Sequence, residues 1–137
     1  MTRHLAGTLL GIVVFGATLT AHHSIAGVYD VTMTQRVDGV VTEFHFVNPH
    51  PYLIIRVDDG AAASQTWHLD MDNLGELRTA GLTASTLRPG DRIVVTGNPS
   101  RREPREMYVR TIVRARDGFE LEQVNNSPRI RRAGETR

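Results

Sequence analysis

The chain of 137 residues contains no cysteine. That excludes disulfides, thiolate zinc sites, a cysteine nucleophile and a lipidated N-terminal cysteine. Lysine is absent as well, and all 16 basic residues are arginine, which excludes a phosphate-loop lysine and Schiff-base chemistry. Aromatic residues are scarce at 6% and the formal charge is only +1, so no general affinity for nucleic acid is expected. There is no G-x-S-x-G elbow and no glycine-rich phosphate loop, which removes two common catalytic frameworks. The apolar stretch Leu5 to Leu19 has 15 residues and is interrupted by three glycines. A membrane-spanning helix needs about 20 apolar residues, so this one is too short.

What is present is a packable globular composition, 40% hydrophobic and 23% charged, of about one domain's length. Met1-Thr2-Arg3-His4 opens the chain with a weak positive charge, and the Leu5–Leu19 stretch follows. This reads as a signal peptide over residues 1–21, cut after Ala21 in front of His22. No polar face is present to support a buried N-terminal helix instead. A periplasmic or secreted protein with no stable membrane span after cleavage is therefore expected. The remaining charges are unevenly placed. Residues 22–100 hold 5 Arg and 9 acidic residues, a balance of −4, and residues 101–137 hold 10 Arg and 6 acidic residues, a balance of +4.

The middle of the chain reads as β-structure. Val31 to Val47 is rich in β-branched and aromatic residues without a helical period, the pattern of a strand. Asp38-Gly39 within it is either a two-residue turn or a glycine kink that bends one long strand, and the kink is favoured. Asn48-Pro49-His50-Pro51 ends this strand, and Tyr52–Val57 forms the next. Thr66–Met71 alternates, with Trp67, Leu69 and Met71 directed inward. Asp72-Asn73 caps a short helix from Leu74 to Ala80 that Gly81 ends. Leu87–Asp91 turns into Arg92–Gly97, and Met107–Val113 is the last full strand. Three strands, a short helix and two strands are the order of a mainly β, five-stranded oligonucleotide/oligosaccharide-binding (OB) barrel. An open sheet or a sandwich is the alternative. The barrel domain is expected over residues 22–122, and an Arg-rich disordered tail over 123–137.

His22-His23-Ser24, Tyr29-Asp30, Asn48-Pro49-His50, Trp67, the Leu74–Gly81 helix, Leu87-Arg88-Pro89-Gly90-Asp91 and Val95-Thr96-Gly97-Asn98-Pro99 occur in that order. The series resembles a family of small exported bacterial proteins, domain of unknown function 6152, over roughly residues 20–121. The resemblance implies export and a compact β domain, and no particular activity. His45 stands where a large apolar residue is expected, and Ser100–Glu106 is richer in charge than the pattern.

Histidines carry the only distinctive chemistry. Cleavage after Ala21 would leave His22 as the N-terminus, where its amine and imidazole can chelate one metal beside His23. A cut one residue earlier gives Ala21-His22-His23, whose amine, two amides and imidazole form a square-planar set suited to Cu(II). His50 lies between two prolines that restrain its neighbourhood. It is either a preorganised ligand or a turn-building residue. Glu43 with His45, and His68 with Asp70, sit at i, i+2 and so face the same way. If the two faces converge they offer two imidazoles and two carboxylates; if not, they form an ordinary polar outer face. Trp67 and Tyr52 are candidates to stack a sugar, although Trp67 alternates with core positions.

These readings converge on a non-enzymatic, exported binding module. Its expected cofactor is copper, on His22, His23 and His50, with Asp70 as a supporting carboxylate. The alternative is a metal-independent OB-type module that binds a glycan or an envelope protein.

Overall fold

A computed structural model describes residues 25–58, 60, 63–123 and 127–134. The expected signal peptide and both His22 and His23 lie outside the described residues. The elements run α1 (Ile25–Val28), β1 (Gln35–His45), β2 (Tyr52–Val57), β3 (Gln65–Asp70), α2 (Leu74–Thr79), β4 (Arg92–Pro99), β5 (Glu106–Arg114), β6 (Phe119–Glu122) and β7 (Arg129–Arg131).

Strands β1 to β5 close into a barrel of the OB type. β1 pairs antiparallel with β2 and β4, β2 with β3, and β4 with β5. Closure comes from a short parallel pairing of β3 with β5: His68 beside Glu106, Leu69 beside Met107 and Asp70 beside Tyr108. Closing the sheet removes the unpaired edges that strands this apolar would otherwise expose. β6 and β7 extend the sheet from β5.

Gly39 acts as the kink. β1 is continuous through it, pairing with β4 along residues 35–40 and with β2 along residues 40–45. A Cβ at Gly39 would lie 2.8 Å from the Arg56 carbonyl oxygen and 2.9 Å from Ile55 Cδ1. Only glycine lets the two backbones approach so closely.

Alternation along β1 would put Val41 and Phe44 on opposite faces. A β-bulge between Val41 and Glu43 shifts the register, so Val41 is buried and Phe44 and Phe46 also pack against the core. A bulge inserts one residue and exchanges the faces beyond it.

The core is formed by Val37, Val41, Leu53, Ile55, Trp67, Leu69, Met71, Ile93, Val95, Met107, Val109 and Ile112 from the barrel strands, with Phe119 and Leu121 from β6. Each such large side chain contributes about 1.5–3 kcal/mol through burial. Trp67, Leu69 and Met71 point inward as the alternation predicts, so Trp67 is a core residue and offers no stacking surface. α2 closes the barrel with Leu74 and Leu77. Asn73 caps it by accepting from the Glu76 N–H at 2.9 Å, and Gly81 follows in the left-handed region with φ +97°.

The C-terminal region departs from the expected disorder. Arg129–Arg131 pairs with β6, where Ile130 packs against the core and the Arg131 guanidinium lies 3.0 Å from Glu122. One apolar side chain and cross-strand charges are enough to hold an extended segment on a preformed edge.

Candidate functional site

The parallel β3–β5 register places two i, i+2 pairs side by side, His68 and Asp70 on β3 against Glu106 and Tyr108 on β5. Tyr29, immediately after α1, covers them. Its phenol donates a hydrogen bond to Asp70 Oδ2 and lies 3.1 Å from Glu106 Oε1. Its ring packs on Tyr108 with centroids 5.7 Å apart. Tyr108 in turn donates to Asp72 Oδ1, and the second oxygen of Asp70 meets His68 Nε2 at 2.9 Å.

Tyr29 is held in place by backbone contacts on both sides. The Asp30 N–H donates to the Pro99 carbonyl (2.8 Å) and the Arg101 N–H to the Val28 carbonyl (2.9 Å). The Arg101 side chain reaches the Ala26 carbonyl at 3.1 Å and Asp30 at 3.5 Å. The charge-rich 100–106 segment therefore straps α1 to the barrel.

Between α1 and the barrel mouth lies a pocket of about 310 Å³ lined by Ile25, Val28, Tyr29, His50, Asp70, Met71, Glu106 and Tyr108. This volume is at the small end of ligand sites. His50 reaches it from the β1–β2 loop, which is fastened on each side of the residue. The Leu74 N–H donates to the Pro49 carbonyl at 3.1 Å and the Met71 N–H to the Pro51 carbonyl at 3.0 Å. His50 itself is exposed.

The electrostatics follow from burial and pairing. Burial and the hydrogen bond to Asp70 hold the Tyr29 phenol well above its ordinary range, and burial with the Asp72 hydrogen bond does the same for Tyr108. Both phenols therefore stay protonated and act as donors. Burial pushes the Asp70 carboxyl up, but hydrogen bonds from His68 and Tyr29 and the charges of His68 and His50 outweigh it, and the net shift is downward. For Asp72 burial wins over the Tyr108 hydrogen bond and the carboxyl is raised. The Asp70 hydrogen bond raises His68 against an opposing burial effect. The pocket thus combines two fixed phenols, a firmly ionised Asp70 and an accessible imidazole. The chemistry of such a set suits a cation or a polar ligand with donor groups.

Of the four residues singled out in the sequence, His50 and Asp70 line this one pocket. Among the described residues no group of three or more His, Asp or Glu side chains is gathered as a metal-holding set. The Glu43–His45 and His68–Asp70 faces do converge, but Tyr52 stands between the imidazoles. It stacks on His45 at 4.4 Å and on His68 at 4.8 Å between centroids. The two rings cannot share one ion, and each is instead paired with its own carboxylate, His45 with Glu43 at 2.6 Å and His68 with Asp70.

Residues 11–107 match the Family of unknown function (DUF6152), well over half of the chain. The chain belongs to DUF6152. No curated protein and no solved structure gives a significant match. The DUF6152 match takes in Tyr29, His50, Asp70 and Glu106 and ends one residue before Tyr108. The sequence marks Tyr29 only as part of the family pattern and Asp72 only as a helix cap, and singles out neither Glu106 nor Tyr108 as a site residue. Glu106-x-Tyr108 has the same i, i+2 spacing as His68-x-Asp70, but nothing local reveals that the two strands lie side by side.

Proposed function

We propose that this DUF6152 protein is an exported, non-enzymatic binding barrel whose ligand is a transition-metal ion, copper in first place. His22, His23 and His50 are the donors, and Asp70 supports them from within the pocket. The observation that carries the reading is that Ile25 forms a wall of the pocket lined by His50 and Asp70. Chain geometry keeps the Cα of residue 23 within about 7 Å of that of Ile25, and that of residue 22 within about 11 Å. Removal of residues 1–21 would leave a free amine and two imidazoles on residues whose Cα atoms stay within that distance of Ile25. The acidic character of the pocket favours a cation, and imidazole donors favour copper over hard ions. Both Asp70 oxygens are already engaged, by His68 and Tyr29, so its part is to hold charge and geometry around the ion.

The test is a Cu(II) titration of protein recovered from the periplasm, with its N-terminus fixed by mass spectrometry. Stoichiometric binding that is lost in His22→Ala and weakened in His50→Ala is expected. An intact leader, or binding no stronger than to a His-free control, overturns the reading.

One observation favours a second reading, the metal-independent module for a glycan or an envelope protein. The His45–Tyr52–His68 stack lies across β1, β2 and β3 on the outer barrel surface, the region with which OB barrels take up oligomers. Capture of a glycan or partner that is indifferent to chelator and lost in Tyr52→Ala would select it.

A further inference from the structure

A second pocket lies at the other end of β5. Glu106 and Tyr108 begin that strand at the α1 pocket; Arg114 ends it, about 20 Å from Tyr108 at strand rise. The pocket measures about 360 Å³, and four arginines converge on it: Arg88 from the turn before β4, Arg114 and Arg116 from the end of β5, and Arg132 from just beyond β7. Thr83, Ser85 and Thr86 add hydroxyls to the wall, and Phe119 completes it.

The floor is fixed by a buried ion network. The Arg114 side chain is 8% exposed and its guanidinium forks onto Asp117 at 3.0 and 2.9 Å. It also donates to Asp91 and to the Thr86 carbonyl, the latter at 2.7 Å. Arg116 meets the other Asp91 oxygen at 2.7 Å. Two carboxylates, Asp91 and Asp117, thus balance two arginines, Arg114 and Arg116. Among the described residues, Arg88 and Arg132 are left in excess. Arg88 is oriented by a hydrogen bond from Nε to the Ser85 carbonyl at 3.0 Å. The Thr83 hydroxyl lies 3.2 Å from that of Ser85 and 3.0 Å from that of Thr86, so the three are linked through Thr83.

We propose that this pocket is an oxyanion site for a phosphoryl group, bound between Arg88, Arg132 and the outer edge of Arg116, with the Thr83/Ser85/Thr86 hydroxyls as further donors. Guanidinium forks match the paired oxygens of a phosphate, and arginine keeps its charge at every physiological pH. The volume is in the range of ligand sites rather than of a single bare ion, so the phosphate is expected to carry a small organic group such as glycerol. The ligand is either a soluble phosphate ester or a phospholipid headgroup. The site does not depend on the metal reading, because it shares no residue with the α1 pocket.

The experiment titrates the full mature chain with inorganic phosphate and with glycerol 1-phosphate at constant ionic strength, by calorimetry. A parallel sedimentation assay uses phosphatidylglycerol and phosphatidylcholine vesicles. Saturable binding is expected that weakens about tenfold in Arg132→Gln and in Arg88→Gln, and not in Arg36→Gln, an exposed arginine on β1. Circular dichroism checks that each variant is folded. Sedimentation with phosphatidylglycerol that glycerol 1-phosphate competes away assigns the headgroup as source; saturable binding without sedimentation assigns a soluble ester. Absence of saturable binding to every probe overturns the proposal. So does binding that Arg36→Gln weakens as much as Arg132→Gln, since that is diffuse charge attraction.

Discussion

Asp91→Asn changes one charge in the most deeply buried ion pair and leaves the side-chain shape intact. Asp91 is 3% exposed in its side chain and Arg114 is 8% exposed. One Asp91 oxygen accepts from Arg114 and from the Arg88 backbone N–H at 3.0 Å, and the other meets Arg116 at 2.7 Å. Whichever way the new amide is turned, its NH2 faces a guanidinium that also only donates. Breaking a buried pair on one side costs about 3–5 kcal/mol. Arg114 keeps its fork onto Asp117, but that carboxylate is 46% exposed and is screened by water. The lower end of the range, about 3 kcal/mol, is therefore expected. Against a total of about 5–15 kcal/mol for a domain, this removes a large share, and the melting temperature should fall by about 12 °C or more. Urea unfolding should show a lower midpoint with an unchanged slope, which marks a change in stability alone. Combining the substitution with Arg114→Met should cost less than the sum of the two singles by at least about 1 kcal/mol. A loss below about 1 kcal/mol for Asp91→Asn, or strict additivity in the double variant, would refute the view that this pair holds the basic end of the barrel.

Gly97→Ala should destabilise by about 3 kcal/mol or more in urea unfolding through overpacking, because its Cβ would overlap the Tyr108 carbonyl oxygen and lie 2.8 Å from Met107 Sδ. Gly27→Ala, with open space around the added carbon, should change stability by less than about 1 kcal/mol. The raised His68 group makes stability pH-dependent in one direction. Its contribution is complete below the ordinary histidine value of 6.5 and is lost as pH rises through the higher folded value, so urea midpoints should fall as pH rises above 6.5. His68→Gln should flatten that part of the profile, and an unaltered profile would show that the His68–Asp70 contact is not formed. Tyr29→Phe removes the donor that Asp70 and Glu106 share and should cost about 1–3 kcal/mol. The same variant should raise the Asp70 carboxyl in a carbon-detected NMR titration, while a value equal to that of the parent would place the phenol elsewhere in solution.

Local signals carried much of the barrel. Trp67, Leu69 and Met71 alternate because one face of β3 is core, Asn73 and Gly81 bracket α2 because caps have specific chemistry, and Gly39 marks the bend of β1. The β1 bulge was hidden because one inserted residue changes the phase without changing the composition. β7 was hidden because its pairing energy comes from a strand edge that the rest of the fold must first create. The site was legible only in halves. His68-x-Asp70 and Glu106-x-Tyr108 are 38 residues apart and meet only through barrel closure, while Tyr29 reaches them from the start of the domain.

The same closure decides where the unevenly placed charges of a nearly neutral chain come to lie. The sequence separates its charge along its length, −4 in residues 22–100 and +4 in residues 101–137. The fold does not simply bring the halves together. β5 carries Glu106 at one mouth and Arg114 at the other, and β6 with β7 turn the C-terminal arginines back toward the Arg114 end. The two pockets are then about 20 Å apart at strand rise, more than twice the roughly 8 Å over which charges interact in physiological salt. Neither end can neutralise the other within one molecule. Asp70 and Glu106 at one pocket and Arg88 and Arg132 at the other therefore act independently, and the two proposed sites can be tested one at a time.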